Sequence, residues 1–272
     1  MSFAADAGGV VSEGEFRDLL ARMDTKLKDV DQSSAKLFDR SNRAMALLPP
    51  GVSDMLRDAL IRLRDLMAKF YEELAKIQFN PGWPPGLYST GNAWTSQVGG
   101  PISSLSGKLS TDQLRIDNLW TGPAADAYAA ILPTQQKAVD AIKQATDVLD
   151  SNLTKAAAGI VVLWIGVIAA VASYLIELIA ETGAAATVVG APPAAAGAGL
   201  STAKVIGLVI AAIGVFAGYA ALLADSMSSM RQAMYANGPF PDGKWPKSTA
   251  SDFNDGSLSD GDTTDWRMKT ND

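Results

Sequence analysis

The chain of 272 residues contains no cysteine and no histidine. Without cysteine there is no disulfide framework, no thiol nucleophile and no thiolate metal site. Without histidine the commonest general base and the commonest nitrogen ligand are gone as well. Charge is also scarce, at 19% Asp, Glu, Lys and Arg, against about a quarter in an average soluble chain. What charge exists leans acidic, to a formal net −6, which argues against a protein that tracks nucleic-acid phosphates. Gly-rich phosphate loops, dinucleotide fingerprints and nucleophile elbows are missing from the sequence. Met1-Ser2-Phe3-Ala4-Ala5-Asp6 has neither the basic nor the apolar part of a Sec-type signal peptide. The expectation is a non-enzyme without catalytic residues, cofactor or metal, which leaves the cytoplasm, if at all, by a non-Sec route.

What is present is helical periodicity. Residues 12 to 48 read as one long helix, opened by Ser12 with Glu15 three positions on, a capping-box pattern. Phe16, Leu20, Met23, Leu27, Val30, Ser34 and Leu37 then alternate at spacings of four and three, a heptad-like seam with Ser34 as its weak point. Pro49-Pro50-Gly51 breaks the pattern. A second helix carries Val52, Leu56, Ala59, Leu63, Leu66 and Phe70 on one face, continued by Leu74 and Ile77. Together these predict an αα-hairpin over residues 1–80.

Asn80-Pro81-Gly82-Trp83-Pro84-Pro85-Gly86 ends that hairpin, and helix is expected to resume between Ser89 and Pro101. A second hairpin is expected over 81–155. Its first arm carries Ile102, Leu105, Leu109, Ile116 and Leu119. Its second carries Tyr128, Leu132, Val139, Ile142, Leu149 and Leu153, with a kink expected at Pro133. Between the arms stands Trp120-Thr121-Gly122, followed by Pro123-Ala124-Ala125-Asp126-Ala127-Tyr128. Gly122 suits the positive φ that ends a helix, and Pro123 suits the first position of the next. Trp120 offers a large apolar face for clamping two helices, and Asp126 suits the positive end of a helix dipole.

This stretch resembles the Trp-Xaa-Gly (WXG) family of helical hairpins exported by type VII (ESX) secretion systems. The resemblance covers about residues 87–153 and extends to the rest only by architecture. It implies that Trp120, Gly122, Asp126 and Tyr128 belong to a hairpin and export surface. It also implies recognition by type VII secretion machinery, or by a WXG-type partner or chaperone. The second half of the family's export signal, Tyr-Xaa-Xaa-Xaa-Asp/Glu, is absent: none of the six tyrosines has an acid four residues later, and Tyr174 misses by one, with Glu177 at the third position. Since WXG proteins commonly pair as antiparallel hairpins, residues 12–79 are expected to serve as a partner in cis.

Residues 156–236 differ in character. No charge occurs from Ala156 to Ile176 or from Val205 to Ala224, and each run is long enough to cross a hydrocarbon layer of about 30 Å. Gly183 to Thr202, rich in Ala, Gly and Pro, reads as a flexible connector. Ala203, Gly207, Ala211, Gly214 and Gly218 form a small-residue stripe suited to close helix packing. Two readings stay open: a transmembrane hairpin in lipid, or a buried central hairpin in a soluble bundle or homo-oligomer. Residues 237–272 read as a disordered acidic tail. Asp252, Asn254, Asp255, Asp260 and Asp262 do not keep the register of an EF-hand.

The expected fold is all-α: elongated antiparallel hairpins forming a four-helix bundle, with an apolar hairpin and a disordered tail. The expected function is that of a type VII secretion substrate or effector, secreted or associated with the cell envelope. A pore-forming helical protein and a membrane scaffold that is never exported are the rivals.

Overall fold

The computed structural model describes residues 11–114, 120–250 and 267–268. Their regular structure is helical apart from one pair of two-residue strands. Helix α1 spans Glu13–Met45 and α2 spans Pro50–Gln78. Ser12 and Glu15 close a reciprocal capping box at the start of α1. Two hydrogen bonds to Ser12, through its backbone N–H first and its hydroxyl second, hold the Glu15 carboxyl below the usual carboxylate range. Pro50 opens α2, where its missing N–H costs nothing. After the Pro/Gly break come α3 (Pro84–Trp94), a π turn (Thr95–Gly99) and α4 (Gly100–Ser106). Helix thus resumes at Pro84, ahead of the expected Ser89. The π turn has a local cause. Pro101 lacks an N–H and its ring collides with the carbonyl four residues back, so the backbone widens just before it.

A short α5 (Thr111–Leu114) and strand β1 (Trp120–Thr121) precede α6 (Pro123–Ala184) and α7 (Ala191–Ala233). A 3-10 turn follows at Pro241–Gly243, and β2 (Arg267–Met268) pairs antiparallel with β1. The second arm of the expected WXG-like hairpin and the first apolar run are therefore one helix of 62 residues. It continues through Pro133, and no residue between Leu153 and Ala156 is a breaker.

The chain divides into two compact units. The first comprises residues 1–86 and 156–221, the second 87–155 and 222–272. In the first unit one hydrophobic core draws on four helical segments. Phe16, Met23, Val30 and Leu37 come from α1, and Leu63, Phe70 and Leu74 from α2. Trp164, Val167, Val171 and Leu178 come from α6, and Ala194, Ala198, Val205 and Val209 from α7. Leu60 and Met67 are buried too, and the periodicity missed them, whereas Val52 is exposed. Ser34 sits inside the seam and is satisfied by donating to the Val30 carbonyl at 2.7 Å. The core is thus built from the N-terminal hairpin and the apolar hairpin, which replaces the expected cis pairing of residues 12–79 with 81–155. Any long apolar seam can cover another, and the 156–221 segment has far more apolar surface to cover.

The expected flexible connector is corrected as well. Residues 191–202 are helical, with Ala191, Ala194, Ala195, Ala198, Ser201 and Thr202 buried. Ala191 and Ala195 pack with Ala44, Leu56 and Leu60. Alanine is the best helix former and lets helices approach closely, so a stretch that looks featureless by hydropathy can still be a packed face.

In the second unit α3 and α4 run antiparallel to the first part of α6. Thr95 donates to Asp150 at 2.7 Å, and Ser106 to Asp140 at 2.6 Å. A Cβ on Gly99 would stand 2.6 Å from the Thr146 hydroxyl. The expected disordered tail is ordered over its first part. Phe240 is buried, and Gln135 donates to the Pro246 carbonyl at 2.9 Å.

Candidate functional site

The residue pairs that join α3 and α4 to α6 have midpoints between residues 120 and 123: Gly91 with Asp150, Thr95 with Asp150, Gly99 with Thr146 and Ser106 with Asp140. The Trp120–Gly122 turn is therefore the centre of an antiparallel helical hairpin. Gly122 has φ +110, in the region where a side chain is strained, and Pro123 is the first residue of α6. Asp126 lies exposed in the first turn of α6. Its backbone N–H donates to the Gly122 carbonyl at 3.1 Å. Tyr128 packs against the small cluster of Ala125 and Leu132. Trp120 itself is not at the end of a helix. It is in an extended strand, paired with Met268 as Thr121 is with Arg267. The first arm is broken after Ser106, and its expected members Ile116 and Leu119 lie outside the described residues.

The apolar hairpin is the second candidate. Within the first unit, α6 and α7 meet through Gly159 against Tyr219, Tyr174 with Thr202 at 2.8 Å, Glu177 with Lys204 at 2.6 Å and Glu181 with Ser201 at 3.0 Å. The inner faces of both helices enter the core. Their outer faces do not: Val162 is 68% exposed, Ile176 70%, Val215 75% and Leu222 67%. Of the apolar windows, 39% is buried on α6 and 17% on α7. All five stripe residues, Ala203, Gly207, Ala211, Gly214 and Gly218, are exposed on the side of α7 away from the core. A Cβ built on Gly207, Gly214 or Gly218 would meet nothing within 4 Å. Within the described residues the stripe packs against no other segment, and composition had no way of saying on which side of the helix it would fall.

The link between α2 and α3 is tied down at two points that the sequence did not mark. Trp164 donates its indole N–H to the Pro81 carbonyl at 2.9 Å. Gly82, at φ +78, lies against Ile160 so closely that a Cβ would stand 2.8 Å from it. Trp83 packs edge-on to Phe16 and under the Arg17 guanidinium. Between α1 and α6, Arg40 donates to the Thr182 carbonyl at 2.5 Å and Thr182 to the Ser33 carbonyl at 3.2 Å. Tyr71 donates to Asp31, and burial together with that carboxylate pushes the phenol far above its ordinary pKa.

A shallow cavity of 280 Å³ is lined by Leu20, Met23, Asp24, Gln78, Pro81 and Trp164, with Asp24 as its lone titratable group. Among the described residues no cluster of three acidic side chains could hold a metal ion. The Asp-rich positions 252–262 lie outside those residues. Comparison with protein-family models, curated proteins and solved structures finds no match to this chain.

Proposed function

We propose that this chain is a non-enzymatic substrate or effector of a type VII secretion system, acting through helical assembly and membrane association. The observation that supports the reading is the Trp120-Thr121-Gly122 turn at the midpoint of an antiparallel helical hairpin, with Gly122 at positive φ and Pro123 opening the next helix. The resemblance implies a turn between two helices; Gly122 and Pro123 agree with that, whereas Trp120 stands in a strand and not at a helix end. The first unit, in this reading, is a four-helix bundle that carries the apolar hairpin in water. A WXG-type partner or chaperone supplies the missing tyrosine–acid half of the export signal. Trp120, Gly122, Asp126 and Tyr128 form this chain's share of the recognition surface.

The test is fractionation of cells with and without a working secretion ATPase. Loss of the protein from the medium in the deficient strain supports export by this route. Equal retention in the membrane of both strains overturns it and leaves a resident membrane scaffold. Trp120→Ala should lower export several-fold while leaving helical content unchanged.

A pore former is a second reading, favoured by one observation: the apolar hairpin has one face covered in the core and the other free. Release of a trapped dye from vesicles by the purified protein would favour it over a purely structural substrate.

A further inference from the structure

The two charge-free runs are in register. The contacts between α6 and α7 have midpoints between residues 188 and 191, from Gly159–Tyr219 through Tyr174–Thr202 to Glu181–Ser201. Asn152, which donates to Ser226 at 3.1 Å, keeps the same midpoint. On that register residues 156–176 of α6 lie beside about 202–222 of α7, almost the same span as its own charge-free run of 205–224. The charges that end the runs are therefore level as well. Glu177 and Lys204 are joined at 2.6 Å at one end, and Lys155 and Asp225 stand at the same level at the other. Twenty-odd residues at 1.5 Å each give a layer about 30 Å deep, the thickness of a bilayer's hydrocarbon core.

A contact between two copies in water has no need for two helices to begin and end their charge-free runs at the same two levels. A hydrocarbon layer does, because a charge at its centre costs about 3 kcal/mol or more. The outward side chains fit that environment, since Val162, Ile165 and Ile176 on α6 and Leu208, Val215 and Leu222 on α7 are all exposed. Backbone groups of both helices are satisfied internally, as a spanning segment requires.

The N-terminal hairpin cannot accompany the runs into lipid. α1 and α2 pack along the inner faces of both runs and carry exposed charges beside them, among them Asp24, Lys28, Arg62 and Asp65. We propose that residues 156–176 and 205–224 form a bilayer-spanning hairpin, and that α1 and α2 are its cover in water, released when it inserts. The ends at Glu177–Lys204 and Lys155–Asp225 then sit at the two membrane surfaces. The cover swings on the Pro81–Gly82–Trp83 link, which requires the Trp164 indole to give up the Pro81 carbonyl. This inference rests on the membrane part of the reading above and is independent of the export route.

The cysteine-free chain allows a direct test on the purified full-length protein with phosphatidylcholine vesicles. An environment-sensitive fluorophore is placed on single cysteines by Ala169→Cys, Gly214→Cys, Lys155→Cys, Glu177→Cys and Lys28→Cys. The expected profile has positions 169 and 214 quenched from the bilayer centre, 155 and 177 from the headgroup level, and 28 from water. A second variant, Ser33→Cys with Thr182→Cys, ties α1 to α6. When oxidised, it should insert about ten-fold less than when reduced, and the reduced form serves as its folding control. Three results overturn the proposal. Vesicle binding with 155, 169, 177 and 214 all shallow means flat docking, and membrane association survives. Insertion that is unaffected by the tie means that the cover is not released. No vesicle binding, with concentration-dependent self-association, means that a second copy covers the face, and membrane association fails too.

Discussion

Helices α1 and α7 contribute to one core but present different outer faces. α1 exposes Asp24 and Lys28, and its outer side carries ion pairs such as Arg17 with Glu13. α7 exposes Leu208, Val215 and Leu222, with the Gly and Ala stripe between them and no charge from 205 to 224. The ion pairs of α1 contribute little stability, since exposed pairs are each worth about 0–1 kcal/mol. Their effect is to keep that side in water. A helix that is apolar all round is one whose outer side is meant for something other than water. The inner face of the apolar hairpin belongs to the core of the first unit, and its outer face is exposed.

The largest expected effect lies within α7 itself. Val209 is fully buried and Val215 is 75% exposed. Val209→Asp should destabilise by about 4 kcal/mol or more, because it buries a charge without a partner. Val215→Asp should lie within about 0.5 kcal/mol of the parent. Urea unfolding of the two variants measures the difference, and equal losses would mean that the outer face is covered in solution. The Val215→Asp protein should nonetheless bind phosphatidylcholine vesicles more weakly than the parent.

Next in size is the alanine face of α7. Ala195 is fully buried against the end of the N-terminal hairpin. Ala195→Leu should cost about 1–3 kcal/mol by overpacking, whereas Ala203→Leu on the exposed side should be near neutral. A neutral Ala195→Leu would contradict the close approach of the helices there. In the second unit Gly122→Ala places a side chain at φ +110 and should cost about 1–2 kcal/mol, read as a lower thermal midpoint.

The smallest effect belongs to the cap of α1. Ser12→Ala removes the capping hydroxyl and should cost about 1 kcal/mol. Glu15, the other half of the box, has a depressed pKa. Its contribution is present above the ordinary carboxylate pKa and is lost as pH falls through the depressed folded value. Amide exchange in the first turn of α1 should quicken at acid pH in the parent and show a weaker dependence in Glu15→Gln.

Much of the helical layout was legible where the pattern combined large side chains with clear punctuation. The capping box and the α1 seam stand where the residues put them, as does the glycine at positive φ before Pro123, whereas the break falls at residues 46–49, and Pro50 and Gly51 open α2 instead of interrupting it. The long α6 was not legible as one helix, because the change in composition near residue 155 suggested a boundary. A change from charged to apolar side chains does not by itself interrupt the backbone hydrogen bonds of a helix. The alanine face from 191 to 202 was missed because its period is carried by residues with almost no hydropathy contrast. The partner of the N-terminal hairpin was misassigned for a different reason: an apolar seam states that it needs covering and does not say by what. The orientation of the stripe from 203 to 218 could not be read at all, since both sides of that helix are apolar and periodicity has nothing to distinguish them. At the Trp120 turn the local chemistry was plain, but the pairing of Trp120 with Met268 joins residues far apart in sequence and left no local trace.

The buried alanines act as a ruler. Ala191, Ala194, Ala195 and Ala198 are buried against their neighbours, Ala191 and Ala195 against Ala44, Leu56 and Leu60, and each offers α7 only a methyl group's depth on that side. The stretch that looks most like an interchangeable spacer is then the one with the narrowest tolerance for added volume, and chain length there is as fixed as in a gear tooth. Inserting or deleting a single residue between 191 and 198 would turn every later side chain of α7 by about 100°, and exchange the face held in the core for the face held out of it.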